Sequence, residues 1–487
     1  MLSFFRVFAI DYILFRNMTN LTSAPALSCN KLAKLHVIGF LLVFSLAGIA
    51  TGVSWASPDI PDQSQPEKNQ ISQPDSKSWY ENIESQWGGQ FKIRGSVSWP
   101  DDDSIYSLID SGPLYDGSAD LRLKNKTYLN NWIYSTIHYE AVLYGGDTMR
   151  TQKKLEELFP NLFEDSFLPG GCINDDRRFF DLTKTIDEDD SHILYHRLDR
   201  FSLTVQPAWG TIRIGRQALT WGNGLLFNPM DLFNPFAPTD IERDYKVGDD
   251  MVTTQFTIDK IGGIQLLYVP RRDPADHNVK WSNSSLAGKI HFVAGTTEFD
   301  IMAAHHYEDF IVGIASTGYF KDAAWRLDAT WTFLDEDTDM NGFLSLVANM
   351  DYSWAWWKKN FYGFMEFYFN GIGDENYSEA ISNPAITERL IRGDLFVLGR
   401  KYLSTGIEME LHPLIKANLT VISNIADPSG IIQPHVVFDL TEEIQCMIGG
   451  NIYCGPSDTE FGGFNISGTD YLYKAPNSAY LRLTYFF

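Results

Sequence analysis

Apolar and polar residues alternate along much of the chain from residue 89 to its end. The clearest run is Ala324–Phe333 (AWRLDATWTF), in which apolar residues alternate with Arg, Asp and Thr. Side chains of an extended strand alternate between its two faces, so this pattern predicts a strand with one apolar and one polar face. About eighteen such segments follow one another, which predicts an all-β chain.

The connections between these segments alternate in length. Joins after even-numbered strands are short, as at Asn130-Asn131 and Trp357-Lys358, whereas most joins after odd-numbered strands are long. The long ones span 145–194, 221–250, 271–285, 371–399 and 454–477, and the short join His306–Glu308 is an exception. Short periplasmic turns and long extracellular loops are typical of a single transmembrane antiparallel β-barrel, here of about 18 strands.

The last eight residues, Tyr480–Phe487 (YLRLTYFF), form an apolar row that ends in an aromatic residue. Leu483, Tyr485 and Phe487 share one strand face. The row resembles the C-terminal insertion signal that outer-membrane barrels show to the barrel assembly machinery. An ordinary C-terminal strand of a soluble sandwich is the alternative.

The N-terminal region has a different composition. Only one long apolar run exists, Val37–Ala50; it follows two lysines and precedes Ser54-Trp55-Ala56. This order is that of a secretory signal, so residues 1–56 are predicted to be a leader and signal peptide. Residues 57–88 are mostly polar and Pro-rich and are predicted to be a disordered periplasmic lead-in. The barrel is then predicted over 89–487.

Charge and cysteine content exclude several classes of protein. The net charge of −23 argues against nucleic-acid binding, because a phosphate backbone needs a basic face. The acidic runs 101–103 and 187–190 are interpreted as solvated loops, with divalent-cation bridging as the alternative. Cys446 and Cys454 lie too far apart along one strand for a disulfide, and no metal or haem motif occurs. No cofactor is expected.

One stretch carries a family resemblance. Ile214-Gly215-Arg216-Gln217, followed by Trp221-Gly222-Asn223-Gly224, is similar to the G-R-Q motif of alginate-export-type and related porin-like outer-membrane proteins. The resemblance implies an outer-membrane channel or exporter. From the residues themselves we predict an ordered loop anchored by Arg216, Trp221, Gly222, Gly224 and Asp231, in which Arg216 pairs with Asp231, Asp240 or Glu242. Strict alternation would turn Arg216 toward lipid unless it lies at the rim or a bulge reorients it.

The polar faces of the predicted strands give the candidate functional residues. Those predicted to line the pore are Lys92, Arg94, Arg213, Gln217, Arg326, Asp328, Glu366, Glu408, Glu410 and Arg482. Opposed basic and acidic residues would set a field across the lumen. Helix-like spacing at 151–163 and 384–396 predicts loop helices that either narrow the pore or lie on the surface.

Together these features predict a porin-like outer-membrane channel for passive passage of small or anionic solutes, and not an enzyme. No G-x-S-x-G motif occurs, and adjacent His305 and His306 should face opposite ways on a strand. The expected partners are outer-membrane lipid, the assembly machinery and a small solute. An outer-membrane hydrolase and the barrel sheath of an electron-transfer conduit are the alternatives.

Overall fold

The computed structural model describes residues 83–159, 175–241, 244–258, 262–334, 340–466 and 470–487. Its long strands are β1 (Glu84–Trp99), β2 (Leu114–Asn130), β3 (Ile133–Gly146), β4 (Thr183–Asp189), β5 (His192–Val205), β6 (Gly210–Gln217), β7 (Asp249–Ile258), β8 (Gly262–Val269), β9 (Ser285–Ala294), β10 (Thr297–His306), β11 (Asp309–Phe320), β12 (Ala323–Phe333), β13 (Gly342–Trp356), β14 (Lys359–Asn370), β15 (Lys401–His412), β16 (Ile415–Asn424), β17 (Ser429–Asp439) and β18 (Ile444–Cys454). The short strands β19 (Phe464–Asn465) and β20 (Leu472–Tyr473) precede the last long strand, β21 (Asn477–Phe486).

These strands close into one antiparallel barrel. The main sheet has nineteen strands, of which β4 pairs only with β5; the remaining eighteen form the ring. Closure occurs at the C terminus, where β21 lies between β18 and β1 and pairs with both. Because a closed ring leaves no open strand edge in the membrane, this pairing satisfies the backbone groups of the first and last strands. The predicted fold class is confirmed.

Alternation along each strand separates an apolar outer face from a polar or packed inner face. On β12, Leu327 and Trp331 are 42% and 40% exposed, whereas Asp328 between them is fully buried. Leu483 and Tyr485 on β21 are similarly exposed. Such a continuous exposed apolar surface is stable only in lipid, so the strands contact the hydrocarbon of a bilayer.

Aromatic residues mark the end of the barrel that carries the short turns. Trp132, Trp209, Trp356 and Trp357 lie in or next to these turns, and each is about half exposed or more. Aromatic rings prefer the boundary between lipid and water, so they locate this end of the barrel at one membrane surface.

The alternation of connections holds around the ring except at two joins on the long-loop side, 307–308 and 425–428, which are short. Turns such as 131–132, 321–322 and 357–358 are short on one side, and 147–191, 218–248, 371–400 and 455–476 are long on the other. The exceptional short join between β10 and β11 is a tight hairpin in which His306 pairs with Asp309. Tyr307 within it takes a positive φ of 55°.

The long loops contain the remaining elements. A 3-10 helix covers Ile105–Leu108, and the α-helices are α1 (Asp147–Leu158), α2 (Tyr377–Ala380) and α3 (Pro384–Arg392). The helix expected at 151–163 therefore begins earlier, and residues 160–163 lie outside the described residues.

β4 was not expected, because the acidic run 187–190 was interpreted as a solvated loop. Most of this run forms an exposed strand that lengthens the sheet beside β5.

At the N terminus, the predicted leader, signal peptide and most of the lead-in lie outside the described residues. β1 begins at Glu84, before the predicted barrel start at residue 89. Cys446 and Cys454 are not joined by a disulfide, and the thiol of Cys454 lies 3.4 Å from the carbonyl of Gly430. No helix in the described part of the chain is long and apolar enough to span a membrane.

The two faces of β16 provide a test of this orientation. Leu419 lies outward and Asn418 lies inward next to Glu408 of β15. We expect Leu419→Arg to destabilise the barrel by about 2–4 kcal/mol, the cost of a charge at the centre of the bilayer. Asn418→Arg should cost far less, because it faces the wet lumen and a carboxylate. Urea unfolding in lipid vesicles measures both, and equal losses would contradict the assigned faces.

Candidate functional site

The loop that follows β6 folds into the barrel interior. We call residues 218–241 the lumen loop. Trp221, Met230 and Phe233 are at most 1% exposed and pack against inward residues of β7 to β11. The indole N–H of Trp221 donates to Gln265 of β8 at 2.8 Å. Burial of these large side chains fixes the base of the lumen loop to one side of the wall.

Two carboxylates of the wall hold the tip of the lumen loop. The backbone N–H of Asn223 donates to Asp328 at 2.5 Å. Those of Leu225, Leu226 and Phe227 all donate to the Glu366 carboxylate, at 2.6, 3.0 and 2.8 Å. Backbone N–H groups away from water need acceptors, and hydrogen bonds to a charged acceptor are stronger than neutral ones. Asp328 and Glu366 therefore anchor the loop to β12 and β14.

Two glycines allow the chain to bend tightly at this anchor. Gly222 has φ of 80°, and a Cβ there would lie 2.1 Å from the side-chain oxygen of Asn228. A Cβ on Gly224 would lie 1.8 Å from the carbonyl oxygen of Phe227. Any side chain at these positions would displace the backbone that reaches Asp328 and Glu366.

The chain then crosses to the opposite part of the wall. The carbonyl of Thr239 accepts from Gln433 of β17 at 2.8 Å. Beyond the lumen loop, Asp244 pairs with Lys92 of β1 at 2.6 Å and with Arg482 of β21 at 3.4 Å. The segment from β6 to β7 thus contacts the wall on several sides of the barrel and narrows its interior.

Arg216 pairs with two carboxylates that the sequence did not predict, and not with Asp231. Arg216 is 1% exposed and pairs with Asp250 at 2.9 Å and with Asp175 at 3.0 Å. It also donates to the carbonyl of Phe180 at 2.7 Å. Asp175 lies in the long loop before β4, so no spacing within the motif pointed to it. Arg216 stands one residue from the end of β6 and is covered by this loop instead of facing lipid. Glu242, another expected partner, lies outside the described residues.

Asp231 instead pairs with Lys246. The ammonium of Lys246 lies 2.6 and 2.7 Å from the two carboxylate oxygens and also donates to the carbonyl of Leu219. Burial raises the pKa of the Asp231 carboxyl to about 6, although the charge of Lys246 acts in the opposite direction. We call residues 218–248, between β6 and β7, the inserted segment. Lys246 near its end thus binds Asp231 in its middle and Leu219 near its start.

The other predicted pore residues occupy different surroundings. Gln217 is buried and donates to the carbonyl of Met251. Arg213 and Arg94 are partly exposed and bond to Thr204 and Ser96. The ion pairs and bonds of the remainder are Arg326 with Asp351, Glu408 with Lys416, and Glu410 with Asn360. Asp328 and Glu366 face inward, but the lumen loop covers them.

A second layer of loops lies over the lumen loop. Glu460 accepts from the backbone N–H groups of Leu398 and Gly399 and from the hydroxyl of Tyr402. Burial raises the pKa of Glu460. Sequence reasoning missed this residue, because an isolated glutamate in a long loop gives no pattern. Sequence reasoning also missed a charge network on β2, β3 and β5, in which Glu140 binds both Arg122 and Arg197. The polar faces of those strands could have indicated it.

The two adjacent histidines point in opposite directions, as predicted. His305 stacks on Trp281 with ring centres 4.5 Å apart, whereas His306 is buried. His306 Nδ1 lies 2.9 Å from Ser285 Oγ, and its Nε2 lies 3.4 Å from Asp394. This Ser-His-Asp arrangement is enclosed: Ser285 has no exposed surface, and Arg271 donates to its hydroxyl at 2.6 Å. It joins three elements and offers no accessible nucleophile.

The architecture of the barrel indicates the membrane in which the protein lies. An even number of antiparallel strands, an apolar outer face, short turns on one side and a polar interior are the features of bacterial outer-membrane proteins. The chain is therefore an outer-membrane β-barrel protein, in contact with membrane lipid.

Comparisons by sequence find no matching protein-family model and no matching curated protein. Comparisons by fold find barrels of low sequence identity. OccAB2 of Acinetobacter baumannii is 11% identical over 84% of this chain and 99% of its own, with a TM-score of 0.47. OccK5 of Pseudomonas aeruginosa is 8% identical over 84% and 99%, with a TM-score of 0.46. Wzi, an Escherichia coli outer-membrane protein involved in group 1 capsule assembly and described as a carbohydrate-binding β-barrel, is 10% identical over 81% and 83%, with a TM-score of 0.45.

The contribution of the Glu366 anchor to the free energy of unfolding can be measured. Glu366→Ala leaves three backbone N–H groups without their acceptor, each costing about 1–3 kcal/mol. Glu410→Ala is the matched control, because Glu410 also lies on the wall but bonds only to the Asn360 side chain. Urea unfolding should show a loss of several kcal/mol for the first variant and little for the second. Similar stabilities would mean that Glu366 does not hold the loop.

Proposed function

We propose that this protein is an outer-membrane channel that passes small solutes, with a preference for anions, through a polar lumen narrowed by the lumen loop. The observation that carries the proposal is the attachment of this loop to the wall at Asp328 and Glu366. A loop fixed inside a barrel sets the width of the passage, and its fixed position allows selection among solutes. Passage needs no chemical conversion.

The distribution of charge around the wall supports the preference for anions. Basic inward residues lie on one arc, with Arg482 on β21, Lys92 and Arg94 on β1, Lys124 on β2 and Arg213 on β6. Half-way round the ring from β2 and β6 lie β12 and β15. That opposite arc carries Asp351, Glu408 and Glu410, together with Arg326 on β12, which pairs with Asp351. A basic arc facing an acidic arc produces a transverse field, which favours solutes whose charge and dipole match it.

Other predictions from the sequence stand beside this proposal. The exposed outward row of Leu483, Tyr485 and Phe487 supports recognition of the C-terminal strand by the assembly machinery. The resemblance of the G-R-Q motif to alginate-export-type proteins stays a prediction, as does the conduit-sheath alternative. The hydrolase alternative gains no support from the enclosed Ser285 and His306.

Removal of the constriction tests the channel directly. We expect that replacing residues 225–237 by a short Gly-Ser linker raises single-channel conductance in planar bilayers several-fold, since it removes the segment that crosses the lumen. The unmodified protein should show small, well-defined conductance steps. Absence of conductance in both proteins, with folding verified by heat-modifiable gel mobility, would contradict the proposal.

The charge arcs have their own test. Arg213 lies on the basic arc and Arg326 lies beside Asp351 on the opposite one. Neutralising both, as Arg213→Gln and Arg326→Gln, should shift the reversal potential in a salt gradient toward cation preference, because the lumen loses two positive charges. Lys321→Gln is the control, since Lys321 lies in an exposed turn outside the lumen. An unchanged reversal potential in the double variant would show that these arginines do not contribute to ion selectivity.

A further inference from the structure

Asp244 occupies a basic site on the inner wall. Its carboxylate lies 2.6 Å from the ammonium of Lys92 and 3.4 Å from the guanidinium of Arg482. Two cations from neighbouring strands, β1 and β21, therefore converge on one carboxylate that belongs to the segment between β6 and β7 and not to the wall.

Exposure differs sharply between the two sides of this contact. The side chains of Lys92 and Arg482 are 13% and 5% exposed, whereas that of Asp244 is 39% exposed. The cations are thus reached from the lumen through the position that Asp244 fills. A buried cation that loses its carboxylate needs another anion, because an unpaired charge away from water is costly.

The residue that follows Asp244 is held against the same part of the wall. Tyr245 stacks on the guanidinium of Arg122 at 3.5 Å, and its hydroxyl lies 3.4 Å from Asp120. Arg122 is itself held by Glu140 and Asp199. Asp120 lies opposite Lys92 in the β1–β2 register and accepts from Tyr245, whereas Asp244 is the partly exposed carboxylate that contacts both Lys92 and Arg482.

We propose that Lys92 and Arg482 form a binding site for the carboxylate group of a small solute, and that Asp244 is a tethered competitor that the solute displaces. The inference rests on the proposed channel function and adds to it a named site and a regulation of that site. A tethered carboxylate has a high effective concentration, so it excludes weak anions and admits solutes that bind the two cations more tightly. Displacement also releases one wall contact of the inserted segment.

Substitution of the competitor tests the proposal. Asp244→Asn keeps the size of the side chain but removes its charge. With succinate as the probe, we expect the concentration that half-blocks the chloride current in planar bilayers to fall by about tenfold, equivalent to about 1.4 kcal/mol. The added changes Lys92→Gln and Arg482→Gln should abolish this gain. Inorganic phosphate serves as a second probe, and a larger gain for phosphate than for succinate would overturn the carboxylate assignment.

Controls separate this proposal from the channel function. Asp273→Asn removes a partly exposed carboxylate that pairs with Lys280 outside the lumen, and it should leave the succinate response unchanged. Asp244→Ser provides a second variant if Asp244→Asn fails to fold. A conducting channel whose succinate response is the same with and without Asp244, or whose gain persists in the triple variant, would overturn the tethered competitor while leaving the channel intact. Loss of conductance in every folded variant would instead reject the channel.

Discussion

Closure of the sheet is the constraint on which the rest of the structure depends. Within lipid, every backbone N–H and C=O of a strand needs a partner, and the pairing of β21 with both β1 and β18 supplies the last of them. A closed ring fixes an inside and an outside, so period-two alternation sends Leu327 outward and Asp328 inward. The enclosed polar wall then determines which loops are able to enter the barrel.

The inserted loop meets the same requirement in a different way. A chain segment that crosses the interior brings backbone N–H groups away from bulk water, and here wall carboxylates accept them. Glu366 accepts three and Asp328 accepts that of Asn223. Glu460 repeats the arrangement in the layer above, with Leu398 and Gly399 as donors. Inward acidic residues therefore position loops as well as set the charge of the lumen.

Much of the fold follows from local pattern, whereas the site depends on distant contacts. Alternation at period two predicts the eighteen ring strands and the alternating connections, because strand faces and hairpin turns are local properties. The partners of Arg216 were missed because Asp175 reaches it from a separate long loop. β4 was missed because its acidic residues form a strand only through pairing with β5. Glu366 was expected on the inner wall, but nothing in its own strand indicates the loop that covers it.

Hydrogen–deuterium exchange of the folded barrel measures the attachment of the lumen loop most directly. If Asp328 and Glu366 accept the backbone N–H groups of Asn223 and Leu225–Phe227, a peptide covering residues 222–227 should exchange orders of magnitude more slowly than a peptide with exposed loop amides such as those of Asp102 and Asp103. Exchange of both peptides at the same fast rate would show that the segment is not bound to the wall.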